Sequence, residues 1–250
     1  MEYYRQRSNT VKPGLLIPSH GDRMRFIDLS HLFEDNMPGF RLKSENGDLI
    51  AFTAQIRPFL THEQSRPRYK NKASFEITEI TFQTSVGTYL DSPYHRYPDK
   101  RDISEIGIEE VILEGIVLNA RHGSAGKAVG LEIIPERLNL TNKAILINFG
   151  WDQYWGTDKY HDYPFISEEL IKFLSNANVG LVGVDTINID DSRDLFRPAH
   201  TEFLKKDILI VENLTNLGSL YDKPFRFFCV PIKGKQVAAM PVRAFAEIIA

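Results

Sequence analysis

Two short stretches of this chain carry side chains able to do chemistry together. The first runs Thr84-Ser85-Val86-Gly87-Thr88-Tyr89-Leu90-Asp91-Ser92-Pro93-Tyr94-His95 and sets one carboxylate and one imidazole four residues apart, behind a glycine and astride a proline. Gly87 can take a backbone angle closed to other residues, while Pro93 fixes its own φ and pushes Ser92 towards extended geometry. Carboxylate oxygen and neutral imidazole are ligands for divalent metals, so Asp91 and His95 on one rigid loop make half of a metal site. Taken alone, a residue such as Asp91 is more often a turn residue bonding its own backbone, and one such as His95 a partly exposed surface histidine. The second stretch holds His200, within Ala199-His200-Thr201-Glu202, and Glu212, which closes the apolar run Ile208-Leu209-Ile210-Val211. A carboxylate in such company is costly to bury without a cation or hydrogen-bond donors, so Glu212 wants a partner. Backbone amides of the following loop would also serve it, and His200 could be no more than a helix N-cap.

The elements that must position these groups follow from periodicity. Segment 75–82 mixes Phe75, Ile77, Ile80 and Phe82 with polar residues and reads as a strand leading into the first stretch. Earlier, 26–31 is a short apolar strand ending at Ser30-His31, and His31 faces either the core edge or a pocket. Residues 41–72 form a charged excursion with one strand over 49–56, of the kind that serves as a lid or an interface element. Later segments read as a short helix over 103–110, a strand over 111–118, a helical turn over 133–138 and a buried strand over 144–149 that ends at Gly150-Trp151-Asp152. The glycines of 123–130 lack phosphate-loop or dinucleotide spacing. Ser167 caps an amphipathic helix with Glu168 and Glu169 in its first turn and Leu170, Ile171, Phe173 and Leu174 inward. A buried strand over 179–184 then completes a βαβ unit, and parallel sheets bind ligands beyond the carboxyl ends of their strands, where Trp151, Asp152 and Asp185 sit. A strand over 225–232 and a terminal helix over 241–246 close the chain.

Composition bounds the partners. At 250 residues, 42% hydrophobic and 25% charged, the chain can bury one large core, so residues 26–250 read as a single domain behind a polar arm over 1–25. A formal net charge of -3 without basic runs argues against nucleic acid and anionic membranes as partners. No apolar run reaches bilayer length and the opening residues lack a signal-peptide core, which leads to a cytoplasmic expectation. The single cysteine, Cys229, sits among Phe227, Phe228 and Val230 and reads as a buried structural thiol.

These residues resemble the cyclase family of metal-dependent hydrolases, which includes bacterial kynurenine formamidase and isatin hydrolase. Its signature is H-x-G-T-H-x-D-x-P-x-H, and Gly87, Thr88, Asp91, Pro93 and His95 fall in register with it. Asp28-Leu29-Ser30-His31 with Met37-Pro38, Gly150-Trp151-Asp152, Gly183-Val184-Asp185-Thr186 and Pro241-Val242-Arg243-Ala244 are similar to further family segments. His200 and Glu212 match its late histidine and acidic ligand. Ser85 and Tyr89 stand where the signature has its first two histidines, so one ligand set is kept and the other lost. A hydroxyl is a poor zinc ligand, and a phenol of pKa about 10 ligates only when deprotonated.

The resemblance implies an α/β domain of the swivelling β/β/α type with a central mixed sheet, assembled as dimers or tetramers. It implies Asp91, His95, His200 and Glu212 around one divalent ion, zinc or manganese, that acidifies a water and polarises the carbonyl of a small amide, formamide or cyclic ester. His95 or His200 would shuttle the proton, Tyr89 would donate to the oxyanion, and His31, Ser85 and Trp151 would contact substrate. The two replaced histidines motivate another reading, a metal-free small-molecule binder. Its pocket would lie between His31, Trp151 and the central loop, with Tyr154, Tyr89 and Tyr94 suited to a planar ligand.

Overall fold

The computed structural model describes residues 25–249; the arm expected over 1–25 therefore falls outside the described residues except for Arg25. In chain order the first half comprises β1 (Arg25–Asp28), the hairpins β2–β3 (Arg41–Lys43, Leu49–Ala51) and β4–β5 (Ala54–Leu60, Ile77–Phe82), the one-turn α1 (His62–Ser65) and β6 (Tyr89–Asp91). β7 (Ile112–Asn119), β8 (Ala128–Val129), β9 (Ala144–Asn148), β10 (Phe165–Ile166) and α2 (Glu168–Asn176) follow. The remainder is β11 (Leu181–Val184), α3 (Pro198–Lys205), β12 (Leu209–Glu212), β13 (Phe225–Phe228), β14 (Ala239–Pro241) and β15 (Phe245–Ile248). No helix among the described residues is long and apolar enough to cross a membrane.

A continuous apolar run such as Ala144-Ile145-Leu146-Ile147 needs cover on both faces, and a parallel strand obtains it. β9 lies between β7 and β11, all parallel, with β12 added in parallel to β11. Antiparallel strands extend this centre on both sides, giving a nine-stranded mixed sheet in the order β1-β15-β13-β7-β9-β11-β12-β6-β14. Successive side chains alternate between two cores. Ile145, Ile147, Val182, Val184 and Ile210 pack beneath α2 and α3. Leu146, Leu181, Leu209, Val211 and Leu90 fill the opposite face with Phe225 and Phe227. This is the single α/β domain with a mixed central sheet that the residues and the resemblance led us to expect.

Register then delivers the first stretch. β6 runs antiparallel to β12 with Tyr89 opposite Glu212 and Asp91 opposite Ile210. Tyr89 and Asp91 are two residues apart, so both share the face of Glu212, which is the face α3 covers. Ahead of β6, Gly87 adopts φ +64, a left-handed angle, and its carbonyl accepts from Asn213 Nδ2 at 2.6 Å. Thr88 Oγ1 donates to the Asn213 carbonyl at 2.5 Å and accepts from the His31 amide at 3.1 Å. After β6, Ser92 is extended (ψ 163) before Pro93, and the single turn Pro93–His95 directs His95 back towards α3.

Several elements differ from expectation. The excursion over 41–72 holds three strands, α1 and a 3-10 turn (Arg66–Tyr69) rather than one strand, because it folds into the β2–β3 hairpin and the first strand of β4–β5; Pro58 is accommodated where the β4–β5 register shifts. Residues 103–110 form two short 3-10 turns broken at Ile106-Gly107, and the turn expected over 133–138 lies earlier, at Leu131–Ile133. The expected terminal helix is instead strand, since β15 hydrogen-bonds between β1 and β13 and tertiary pairing overrides local preference. Ser167 caps α2 through the Leu170 amide as read, but Phe173 is 38% exposed rather than inward. Cys229 is fully buried, which raises its thiol pKa. Replacing Gly87 by alanine should cost about 1–2 kcal/mol, because a Cβ at positive φ is strained and would meet the Met37 Cε at 2.9 Å. Denaturant unfolding measures this, and an unchanged midpoint would contradict it.

Candidate active site

Asp91, His200 and Glu212 converge from β6, α3 and β12, each offering a ligand atom within 4.8 Å of the others. His200 Nε2 lies 3.8 Å from Asp91 Oδ2 and 3.7 Å from Glu212 Oε1. Both carboxylates are fully buried, yet neither oxygen of Asp91 has a hydrogen-bond partner. A buried, unpartnered carboxylate is among the most expensive groups a core can hold, so this one is shaped for a ligand. Glu212 differs: Oε1 accepts from the Ile189 amide at 2.7 Å and Oε2 from the Tyr89 hydroxyl.

His200 does not cap its helix. It lies within the first turn of α3, behind Arg197 (φ 47) and Pro198. Asp190, which sequence reasoning left without a role, supplies the cap from the preceding loop: its carboxylate accepts from the Ala199 amide at 2.6 Å and the His200 amide at 3.1 Å. The same carboxylate meets His200 Nδ1 at 2.7 Å. With Nδ1 bonded to Asp190, loss of the Nε2 proton would bare a lone pair aimed at Asp91 and Glu212, as metal-ligating imidazoles are commonly held. Imidazole nitrogen and carboxylate oxygen suit zinc or manganese, so the residues present fit a divalent cation.

His95 stands beside this group rather than inside it. Its Nδ1 is 3.5 Å from Asp91 Oδ1, its ring centroid is 5.6 Å from that of His200, and its side chain is 36% exposed. Partial burial, reinforced by the His200 charge, holds it down to about 4, a neutral base at pH 7. Burial raises Asp91 to about 7 against the pull of His200, and likewise Glu212 to about 7. Burial opposes the charge on His200, but the Asp190 hydrogen bond and the two carboxylates outweigh it and raise the imidazole to about 9. Tyr89 is pushed well above the usual phenol range, by burial first and the Glu212 charge second, and stays protonated.

A cavity of about 260 Å³ opens beside the group, and Ser85, Tyr89, His95 and His200 line it together with the apolar Phe40, Leu42 and Phe52. Two expected substrate contacts do not line it. His31 stacks on Trp155 (centroids 3.9 Å, planes 6° apart) and borders a separate groove with Asp28 and Arg243. Trp151 is buried and packs edge-on against Tyr154 at 4.9 Å. The oxyanion-donor role expected of Tyr89 does not follow from this geometry, since its one hydroxyl proton is committed to Glu212. Asp185 is structural: its carboxylate accepts from the amides of Phe149, Gly150 and Trp151 at 2.7–3.1 Å and closes the turn after β9. Among the residues singled out as candidate ligands, Asp91, His200 and Glu212 meet, with His95 adjacent.

The family model Cyclase, described as "Putative cyclase", matches residues 27–191. The chain belongs to the cyclase family. A kynurenine formamidase of Bacillus cytotoxicus is 24% identical over 176 residues, covering 70% of this chain and 81% of the relative. An uncharacterized protein of Methanocaldococcus jannaschii is 28% identical over 179 residues, covering 69% and 83%. Among solved structures, isatin hydrolase A from Ralstonia solanacearum superposes with a TM-score of 0.79 at 18% identity, covering 96% of this chain and 99% of that one. An isatin hydrolase bound to the product analogue thioisatinate gives 0.80 at 15% identity, covering 92% and 94%. The overall fold is thus shared with these cyclase-like structures.

The buried cluster makes stability depend on pH. Asp91 and Glu212 at about 7 and His200 at about 9 lie above their unfolded values, so the folded chain holds the extra protons and loses stability as pH rises through those values. His31 and His95, both lowered to about 4, act in the opposite sense but only below their unfolded value of 6.5. With EDTA present, the melting temperature should therefore fall steadily from pH 6.5 to pH 9; a flat or rising profile would contradict the assignment.

Proposed function

We propose that this chain hydrolyses a small amide, formamide or cyclic ester with the help of one divalent cation, zinc or manganese, held by Asp91, His200 and Glu212. The observation that carries this reading is the pair of unpartnered Asp91 oxygens facing His200 and Glu212 beside a small cavity. Relatives named kynurenine formamidase and neighbours named isatin hydrolase support hydrolysis of a carbonyl–nitrogen bond as the reaction class. When bound, such a cation acidifies water and polarises a scissile carbonyl.

The chain's own residues would do the rest. His95, neutral and open to the cavity, takes the proton from the attacking water and returns it to the leaving nitrogen or oxygen. Asp190 fixes the tautomer and direction of His200. Tyr89 holds one oxygen of Glu212 and so sets which lone pairs face the centre. Ser85 borders the cavity and offers a hydroxyl to the substrate, while Phe40 and Phe52 pack on an apolar body and exclude water. A single ion accords with Ser85 and Tyr89 at positions where two imidazoles would be needed for a second. Assembly into dimers or tetramers belongs to the same proposal, and exposed Phe59, Ile77 and Ile80 on the β4–β5 hairpin support it.

Protein purified without chelator should carry about one equivalent of metal per chain, read by elemental analysis. Asp91→Asn should lose both metal and activity on N-formyl aryl amides. Asp190→Asn should weaken metal affinity by about 10–100-fold through loss of the imidazole's orientation. The double change Ser85→His with Tyr89→His should raise the stoichiometry towards two. Ligand binding that is indifferent to metal and EDTA, with no hydrolysis, would instead support the binder.

A further inference from the structure

Arg96 and Arg197 both line the cavity that holds the candidate centre, and neither lies within ion-pair distance of a carboxylate among the described residues. Arg96, next to His95, donates from Nε to Thr201 Oγ1 at 3.2 Å and from Nη2 to the Phe196 carbonyl at 3.0 Å. Arg197 donates from Nη1 to Asn188 Oδ1 at 3.2 Å, and its guanidinium carbon stands 5.5 Å from the Phe40 ring centroid. These bonds go to neutral oxygens, so each guanidinium is positioned without being spent on a carboxylate at ion-pair distance among the described residues.

The charge balance points the same way. A divalent cation would offset the charges of Asp91 and Glu212, so those two carboxylates would not compete with a bound anion for the two guanidinium groups. Arginine forks match carboxylates geometrically, and charge-assisted hydrogen bonds of this kind are among the strongest a site can offer. Phe40, Phe52 and Leu42 give the same space an apolar lining.

We propose that Arg96 and Arg197 form an anion subsite, so that the substrate of this cavity is a small carboxylate-bearing molecule with an apolar body whose scissile carbonyl sits apart from its carboxylate. The proposal rests on the hydrolase reading for the word substrate, but not for the binding. Arg96 and Arg197 are specificity residues here, holding the ligand while His95 and its neighbours act on it.

The test uses benzenesulfonate, an anion that ligates metals weakly, against methyl phenyl sulfone, a neutral molecule of similar size. Calorimetric titration of the full chain, as purified and again with EDTA, should show the sulfonate binding at least about tenfold tighter than the sulfone. Arg197→Gln and Arg96→Gln should each lower sulfonate affinity by about tenfold and leave the sulfone unchanged. Arg197→Lys should retain part of the preference. Should the Arg197 variants unfold, Arg96→Gln carries the test, since Arg96 is exposed and bonds only the two groups named above. Binding of neither probe, equal binding of both, or a preference that survives the glutamine changes overturns the subsite. Because the EDTA arm needs neither metal nor turnover, its failure is distinct from failure of the hydrolase reading.

Discussion

The structure is organised by an electrostatic debt at Asp91. A carboxylate removed from water with no donor to either oxygen destabilises the fold unless a positive group faces it. His200 is the nearest such group, at 3.8 Å, and is too long for a hydrogen bond. A cation at the meeting point of Asp91, His200 and Glu212 would discharge all three at once, and the same displacement of protons ties its affinity to pH.

Everything around Asp91 serves to keep it there. The antiparallel pairing of β6 with β12 puts Asp91, Tyr89 and Glu212 on one face, and a slip of one residue would send all of them into the opposite core. Asn213 and Thr88 tie the loop before β6 to the end of β12, while Asp190 both caps α3 and aims His200. The centre is therefore built on strands and a helix N-terminus, with His95 beside it on the turn that follows β6.

What was legible in the sequence followed from chemistry that needs no neighbours to interpret. Gly87 at positive φ, extended Ser92 before Pro93, the cap at Ser167 and the acid closing an apolar strand at Glu212 are local statements, and each is found as read. His31 was misplaced because its surroundings are set by a partner distant in sequence, Trp155, which stacks on it, and Trp151 because it is buried in the core and packs edge-on against Tyr154. Asp190, Arg96 and Arg197 went unremarked since a charged loop residue is by default solvated, and only tertiary packing turns it towards a cavity. The strand at Phe245–Ile248 has the same cause, as pairing on both sides outweighs its own helical pattern.

The most direct measurement is anomalous diffraction from crystals grown with manganese or zinc, recorded on both sides of the metal's absorption edge. The account predicts one peak per chain, at bonding distance from Asp91, His200 Nε2 and Glu212. Crystals with no peak there, or with the ion bound elsewhere while Asp91 stays unligated, would contradict it.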